Sequence, residues 1–211
     1  MWEYIPETDT WISRKKLPSA SGGVLFCTEN NGFGYVGVSN GNNLDLWRYD
    51  PINNAWKLLK HIPVLGAPAI ISGGMISHGN YIYFSAAWGA TQSGSDDEVR
   101  SIIQYDLTNN TWKKIGDSLS FVFFIYKDNV YAVKWDYKVS MWDNTNNIWI
   151  EKASIPTGIN FSENDYELNS PFFQEHLVSA DINGEPLIGT QIDGYFDYYY
   201  DVTLWFKYSE R

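Results

Sequence analysis

Cysteine is almost absent: Cys27 stands alone in 211 residues, so no disulfide forms within the chain and the core must hold the fold. Cys27 lies in the apolar stretch GGVLFCTE and reads as a buried strand residue rather than a reactive thiol. Histidine is scarce as well, and His61, His78 and His176 are far apart in sequence. Basic residues are few, 15 Lys and Arg against 25 Asp and Glu, for a formal net charge of −10. Such a balance argues against nucleic acid, because binding by counterion release needs clustered cations. The chain has no apolar run of about 18 residues, so membrane insertion is not expected. Met1 leads directly into Trp-Glu-Tyr with neither a basic region nor an apolar stretch, so this sequence is expected to carry no signal peptide. The motifs of serine hydrolases, zinc peptidases, CxxC redox sites and phosphate loops are all missing, and no cofactor is expected.

Aromatic residues, by contrast, are abundant at 17% of the chain, with 10 Trp and 15 Tyr. They recur in a pattern. Four segments place an aromatic residue seven positions before a tryptophan: YIPETDTW (Tyr4 to Trp11), YDPINNAW (Tyr49 to Trp56), YDLTNNTW (Tyr105 to Trp112) and WDNTNNIW (Trp142 to Trp149). The first aromatics of successive segments are separated by 37 to 56 residues, the mark of a repeat architecture.

Each segment follows a run with strand character (LDLWRY, SIIQY, KVSMW) and leads into another (AWKLLKHI, TWKKIG, IWIEKA). Between them lie prolines and asparagines, which favour a tight hairpin that sets the aromatic and the Trp side by side across the strands. A second kind of turn precedes each motif: Asn31-Gly32, Gly79-Asn80, Asp128-Asn129 and Asn183-Gly184. These dipeptides favour the primed two-residue turns that match strand twist. The units are placed near 22–61, 73–116, 119–153 and 175–208, with N-terminal strands within 1–17. Four-stranded antiparallel units repeated in this way give an all-β fold, a β-propeller of about four blades in one domain over 1–211. An incomplete ring, or a larger ring shared between chains through self-association, is the alternative. Seventeen strands are expected; with TWISRKK completing the last blade, sixteen are used and WEY is left over.

The wording of the third and fourth strands resembles kelch repeats, with a strand ending in Tyr-Asp-Pro, a turn rich in Thr or Asn, a Trp and then an Ile-Pro. YDPINNAWKLLKHIP, MWEYIPETDTWISRKKLP and WDNTNNIWIEKASIP carry the resemblance. Gly-Gly, usual after the second-strand tyrosine in kelch proteins, is replaced by GVSNG, FSAAWG and AVKW after Tyr35, Tyr83 and Tyr131. The first segment is similar to secreted or surface bacterial kelch proteins, which implies an extracellular location. A copper-radical oxidase of kelch-like type would need a cross-linked cysteine, which one cysteine in an apolar strand does not supply.

Long insertions all fall between second and third strands or between units: 61–72, 86–100, 156–174 and 191–201. Loops held on a rigid scaffold are where binding residues concentrate. DGYFDYYYD offers Tyr195, Phe196, Asp197, Tyr198, Tyr199 and Tyr200, flat rings beside carboxylates that suit a glycan or a protein partner, or that extend an ordinary hairpin. Trp88, Asp96 and Asp97 in the 86–100 loop and Tyr166 in the 156–174 loop are further binding candidates. Asp96-Asp97-Glu98 and Glu163/Asp165/Glu167 do not fit a calcium loop, and no metal site is expected. The leading expectation is a non-enzymatic module that binds a protein or glycan through the long-loop face. A carbohydrate-active enzyme (a sugar isomerase or lyase) using loop carboxylates and tyrosines, or a structural subunit of a surface or particle assembly, are the alternatives.

Overall fold

The computed structural model describes residues 1–18, 24–40, 43–63, 71–88, 99–117, 120–134, 138–154, 176–182, 185–192 and 202–207, and shows strands and no helix among them. The chain divides into two compact units, Met1–Asp117 and Ser118–Arg211. The first opens with a hairpin of β1 (Trp2–Ile5) and β2 (Thr10–Ser13). Two four-stranded sheets follow: β3 (Val24–Asn30), β4 (Phe33–Asn40), β5 (Asn43–Asp50) and β6 (Ala55–Pro63), then β7 (Ile71–His78), β8 (Tyr81–Trp88), β9 (Val99–Asp106) and β10 (Thr111–Gly116). The second unit has a four-stranded sheet of β11 (Ser120–Tyr126), β12 (Asn129–Lys134), β13 (Lys138–Asp143) and β14 (Ile148–Ser154). A three-stranded sheet of β15 (His176–Ile182), β16 (Glu185–Ile192) and β17 (Val202–Lys207) completes it. Every strand pairs antiparallel with its neighbour in the chain. WEY, left over in a sixteen-strand count, pairs with TWIS: Trp2 faces Ser13 and Tyr4 faces Trp11.

The aromatic-to-Trp spacing does what the sequence implied. Tyr4 and Trp11, Tyr49 and Trp56, Tyr105 and Trp112, and Trp142 and Trp149 are directly opposed across their hairpins. Ring centroids lie 5.2 Å apart in the first pair, 4.9 Å in the second and 5.2 Å in the last. Each connecting turn ends on a residue of positive φ: Asp9 at 50°, Asn54 at 45°, Asn110 at 55° and Asn147 at 55°. Asx side chains tolerate that left-handed backbone better than other non-glycine residues. Three of the four turns share one further device. Asp50 Oδ1 accepts the backbone N–H groups of Ile52 and Asn53 at 2.9 and 3.1 Å, while Asn53 Nδ2 donates to its Oδ2 at 2.7 Å. Asp106 with Thr108 and Asn109, and Asp143 with Thr145 and Asn146, repeat the arrangement.

These bonds favour the carboxylate. The side-chain amide of Asn53, Asn109 or Asn146 first, and the backbone N–H groups next, hold each aspartate below its ordinary value of 3.8. A group depressed in the folded state contributes stability that is present above its unfolded value and lost as pH falls through the folded one. The thermal midpoint is therefore expected to fall as pH is lowered below about 3.8. A D50N/D106N/D143N variant should show a flatter profile in that window, measured by circular dichroism melts. An equally steep fall in the variant would locate the acid sensitivity elsewhere.

The core of the first unit gathers Phe26, Leu44, Leu46, Ile82, Phe84, Ile103 and Tyr105 between its two four-stranded sheets. Burial pushes the Tyr105 phenol up to about 12, and its O–H donates to Asn110 Oδ1, which ties the core to the turn above it. In the second unit Val122, Phe124, Tyr131, Val133 and Val139 cluster, with the Phe124 and Tyr131 rings stacked at 5.0 Å.

Two local readings are corrected. Cys27 is exposed, not buried. Strand alternation turns Phe26 into the core, so the cysteine at the next position faces the opposite side. The third two-residue turn is Lys127-Asp128, one residue earlier than Asp128-Asn129: Tyr126 pairs with Asn129, and φ is 46° and 62° at the two turn residues. Asn129 starts the strand and anchors the turn instead, its Nδ2 donating to the Lys127 carbonyl at 2.8 Å. The Asn31-Gly32 turn has φ of 51° and 78° and Gly79 has 57°, as primed turns require. Residues 183–184 lie outside the described residues, between the paired Ile182 and Glu185.

Candidate functional site

Antiparallel pairing sends the two kinds of connection to opposite ends of each sheet. At one end are the tight turns 31–32, 51–54, 79–80, 107–110, 127–128 and 144–147. The longer connections, 14–23, 64–70, 89–98, 155–175 and 193–201, join strand ends that lie opposite the tight turns of their own sheets. Of the binding residues expected from sequence, Asp96, Asp97, Tyr166, Tyr195, Phe196, Asp197, Tyr198, Tyr199 and Tyr200 fall in these connections and lie outside the described residues. Trp88 differs from expectation. It is the last residue of β8, its backbone paired with Val99, so the connection expected over 86–100 spans 89–98.

The described residues hold a polar constellation at the long-connection end that the sequence did not single out. Asp45 and His61 are direct cross-strand neighbours on β5 and β6. His61 Nδ1–H donates to Asp45 Oδ1 at 2.6 Å, and Asn40 Nδ2 donates to Asp45 Oδ2 at 2.8 Å. The Asp45 side chain is 2% exposed and that of His61 is 58% exposed. A buried carboxylate thus fixes the imidazole ring and its tautomer, leaving Nε2 on the open side to accept a hydrogen bond or a proton. Asp45 escaped notice because LDLW alternates apolar and polar residues, the pattern of a strand with one wet face. In fact Leu44, Asp45 and Leu46 are all buried, so β5 is covered on both faces.

The neighbouring sheet has a polar group in the corresponding place. Ser101 precedes Tyr105 by four residues, as Asp45 precedes Tyr49. Its Oγ is buried and has no hydrogen-bond partner among the described residues. No group of three or more His, Cys, Asp or Glu side chains among the described residues is placed to hold a metal ion. A pocket at the tight-turn end, bordered by Tyr81, Gln104, Asp106, Trp112 and Lys113, encloses about 200 Å³. That is below the roughly 300–1,000 Å³ usual for small-molecule sites.

No protein-family model and no curated protein matches the chain. Solved structures do resemble it. YjhT superposes with a TM-score of 0.53 at 11% identity, over 94% of this chain and 67% of that one. The computationally designed Ika4 protein gives 0.51 at 8% identity, over 94% of this chain and 100% of that one. The GH43 protein BlXynB (K247S) from Bacillus licheniformis gives 0.52 at 9% identity, over 86% of this chain and 41% of that one. YjhT and the GH43 protein are β-propellers with four-stranded blades. At such identities the likeness carries the fold alone: the chain is an all-β propeller of antiparallel sheets, three of them four-stranded among the described residues.

Proposed function

We propose that the protein is a kelch-like propeller module that binds a glycan or protein ligand, without turning it over, through the end that carries its long connections. The observation that carries the reading is the Asp45–His61 pair, a ring fixed by a buried carboxylate and presented at that end. A preset imidazole there loses little freedom on meeting a ligand hydroxyl. The chain also carries tyrosines and aspartates in 193–201, residue types that stack on sugar C–H faces and accept sugar hydroxyls. The same reading applies to an extracellular setting, where glycans and surface proteins are the ligands within reach.

A glycan array tests it, with wild type, a Tyr198/Tyr199/Tyr200 triple alanine variant and His61→Ala. Wild type is expected to bind, the triple variant to lose binding, and His61→Ala to weaken it about tenfold, the loss of one good hydrogen bond. No glycan bound by wild type removes the glycan version. The same Asp45–His61 geometry favours one second reading, a carbohydrate-active enzyme in which the oriented imidazole moves a proton. Turnover of a bound sugar, lost in His61→Gln, Asp193→Asn or Asp197→Asn while binding persists, would decide for the enzyme.

A further inference from the structure

The first aromatic motif is built like the second, yet it stands open. Tyr4 O–H donates to Asp9 Oδ1 at 2.8 Å, as Tyr49 O–H donates to Asn54 Oδ1 at 2.9 Å. Their ring pairs have interplanar angles of 45° and 43°. In the second motif a backbone segment lies across this surface. Lys15 N–H donates to Asn54 Oδ1 at 2.8 Å, and Trp56 Nε1–H donates to the Lys15 carbonyl at 2.9 Å. Both bonds are made by the main chain of one residue, so any extended segment can make them. The covering residue stands four positions after Trp11. Lys60 stands four positions after Trp56, and its Nζ reaches the Asn110 carbonyl of the third motif at 3.5 Å. In both cases a lysine four positions after the Trp of one repeat reaches the aromatic turn of the next, Lys15 with its main chain and Lys60 with its side chain.

Among the described residues nothing covers the first turn in this way. Trp2 and Trp11 are each 65% exposed and Tyr4 is 43% exposed, all three on one face of the β1–β2 hairpin. Five of the eight large hydrophobic side chains exposed among the described residues (Met1, Trp2, Tyr4, Trp11 and Ile12) belong to this hairpin. Such a concentration of apolar surface marks an interaction site. Its chemistry differs from the covered turns in where the carboxylates stand: Ile5 replaces the aspartate that organises the other turns as Asp50 and Asp106. Asp9 places a carboxylate where Asn54 and Asn110 place amides, with Glu7 on the same turn. Two carboxylates, Glu7 and Asp9, on a turn that keeps the Tyr–Trp pair favour a cation in the covering segment.

We propose that the hairpin face of Trp2, Tyr4, Asp9 and Trp11 docks an extended lysine-bearing segment of a partner polypeptide, seated as Lys15 is seated on Asn54 and Trp56. The partner's backbone N–H donates to Asp9, its carbonyl accepts from Trp11 Nε1, and its lysine lies beside the carboxylates. This site is separate from the long-connection end and stands or falls without it.

The probe is a synthetic peptide Ile-Ser-Arg-Lys-Lys-Leu-Pro, the sequence of residues 12–18, titrated calorimetrically into the full chain. Saturable binding is expected, weakened at least tenfold by Trp11→Ala. Asp9→Asn keeps both hydrogen bonds but removes the charge, so it should weaken binding several-fold and abolish most of its salt dependence. Both replaced side chains belong to the exposed hairpin, and circular dichroism checks the fold; if Trp11→Ala misfolds, Asp9→Asn decides alone. No saturation with wild type, or equal affinity in a folded Trp11→Ala, overturns the proposal. So does a sedimentation mass of a dimer that falls to monomer in Trp11→Ala, because the occupant is then a second copy of this chain.

Discussion

Phe84→Ala is expected to lower the unfolding free energy by about 3–5 kcal/mol, read as a fall in the urea midpoint with an unchanged slope. Phe84 is fully buried on β8 and meets Phe26 of β3 with ring centroids 5.3 Å apart. The pair joins the two four-stranded sheets of the first unit, so truncation opens a cavity between sheets that each have their own backbone ladder. Rigid walls on both sides collapse little, which puts the cost toward the upper part of the range. A loss below about 1 kcal/mol would mean that the two sheets close the gap, and that the packing between them is softer than the structure gives.

Gly37→Ala is the second large effect, and it acts from the opposite direction. Gly37 faces Phe26 across the β3–β4 ladder. A β-carbon built there overlaps the Phe26 ring, lying 2.6 Å from Cδ2 and 2.7 Å from Cζ. Phe26 is also packed against Phe84, so the overpacking should cost about 1–3 kcal/mol or more. The two substitutions act on the same ring, one removing a neighbour and the other crowding it, and they should not add. With Phe84 replaced by alanine, Phe26 can swing into the vacated space, and Gly37→Ala should then cost at least about 1 kcal/mol less than in the wild type. Strict additivity in the double-mutant cycle would show that Phe26 relieves the clash by some other route.

The parts of the fold that were legible in the sequence are those written in backbone chemistry. Proline, asparagine and glycine report the dihedral angles they permit, so the hairpins at 51–54, 107–110 and 144–147 were readable from Pro51, Asn54, Asn110 and Asn147. Turns whose residues do not name their conformation were less readable. Lys127 takes a left-handed φ of 46° although lysine has no preference for it, whereas Asn129 next to the turn does carry the turn signal. The functional surface was harder still. Polar residues at alternate strand positions are expected to be wet, so neither the burial of Asp45 nor its bond to His61, 16 residues away, leaves a local signal. Cys27 is the mirror case, an apolar neighbourhood in sequence that alternation divides between two faces.

The order of strands has a kinetic consequence. Each sheet is laid down in chain order, and every ladder joins strands that follow one another. Loops closed by two or four residues form in microseconds, and their entropy is lost against contacts made at once. All-β proteins fold slowly when pairing partners are distant in the chain. Here the first four-stranded sheet, residues 24–63, contains its own partners and can pair while the remainder is still on the ribosome. Successive sheets then meet neighbours that already present finished surfaces, which shortens the time during which so aromatic a chain exposes its rings to other molecules.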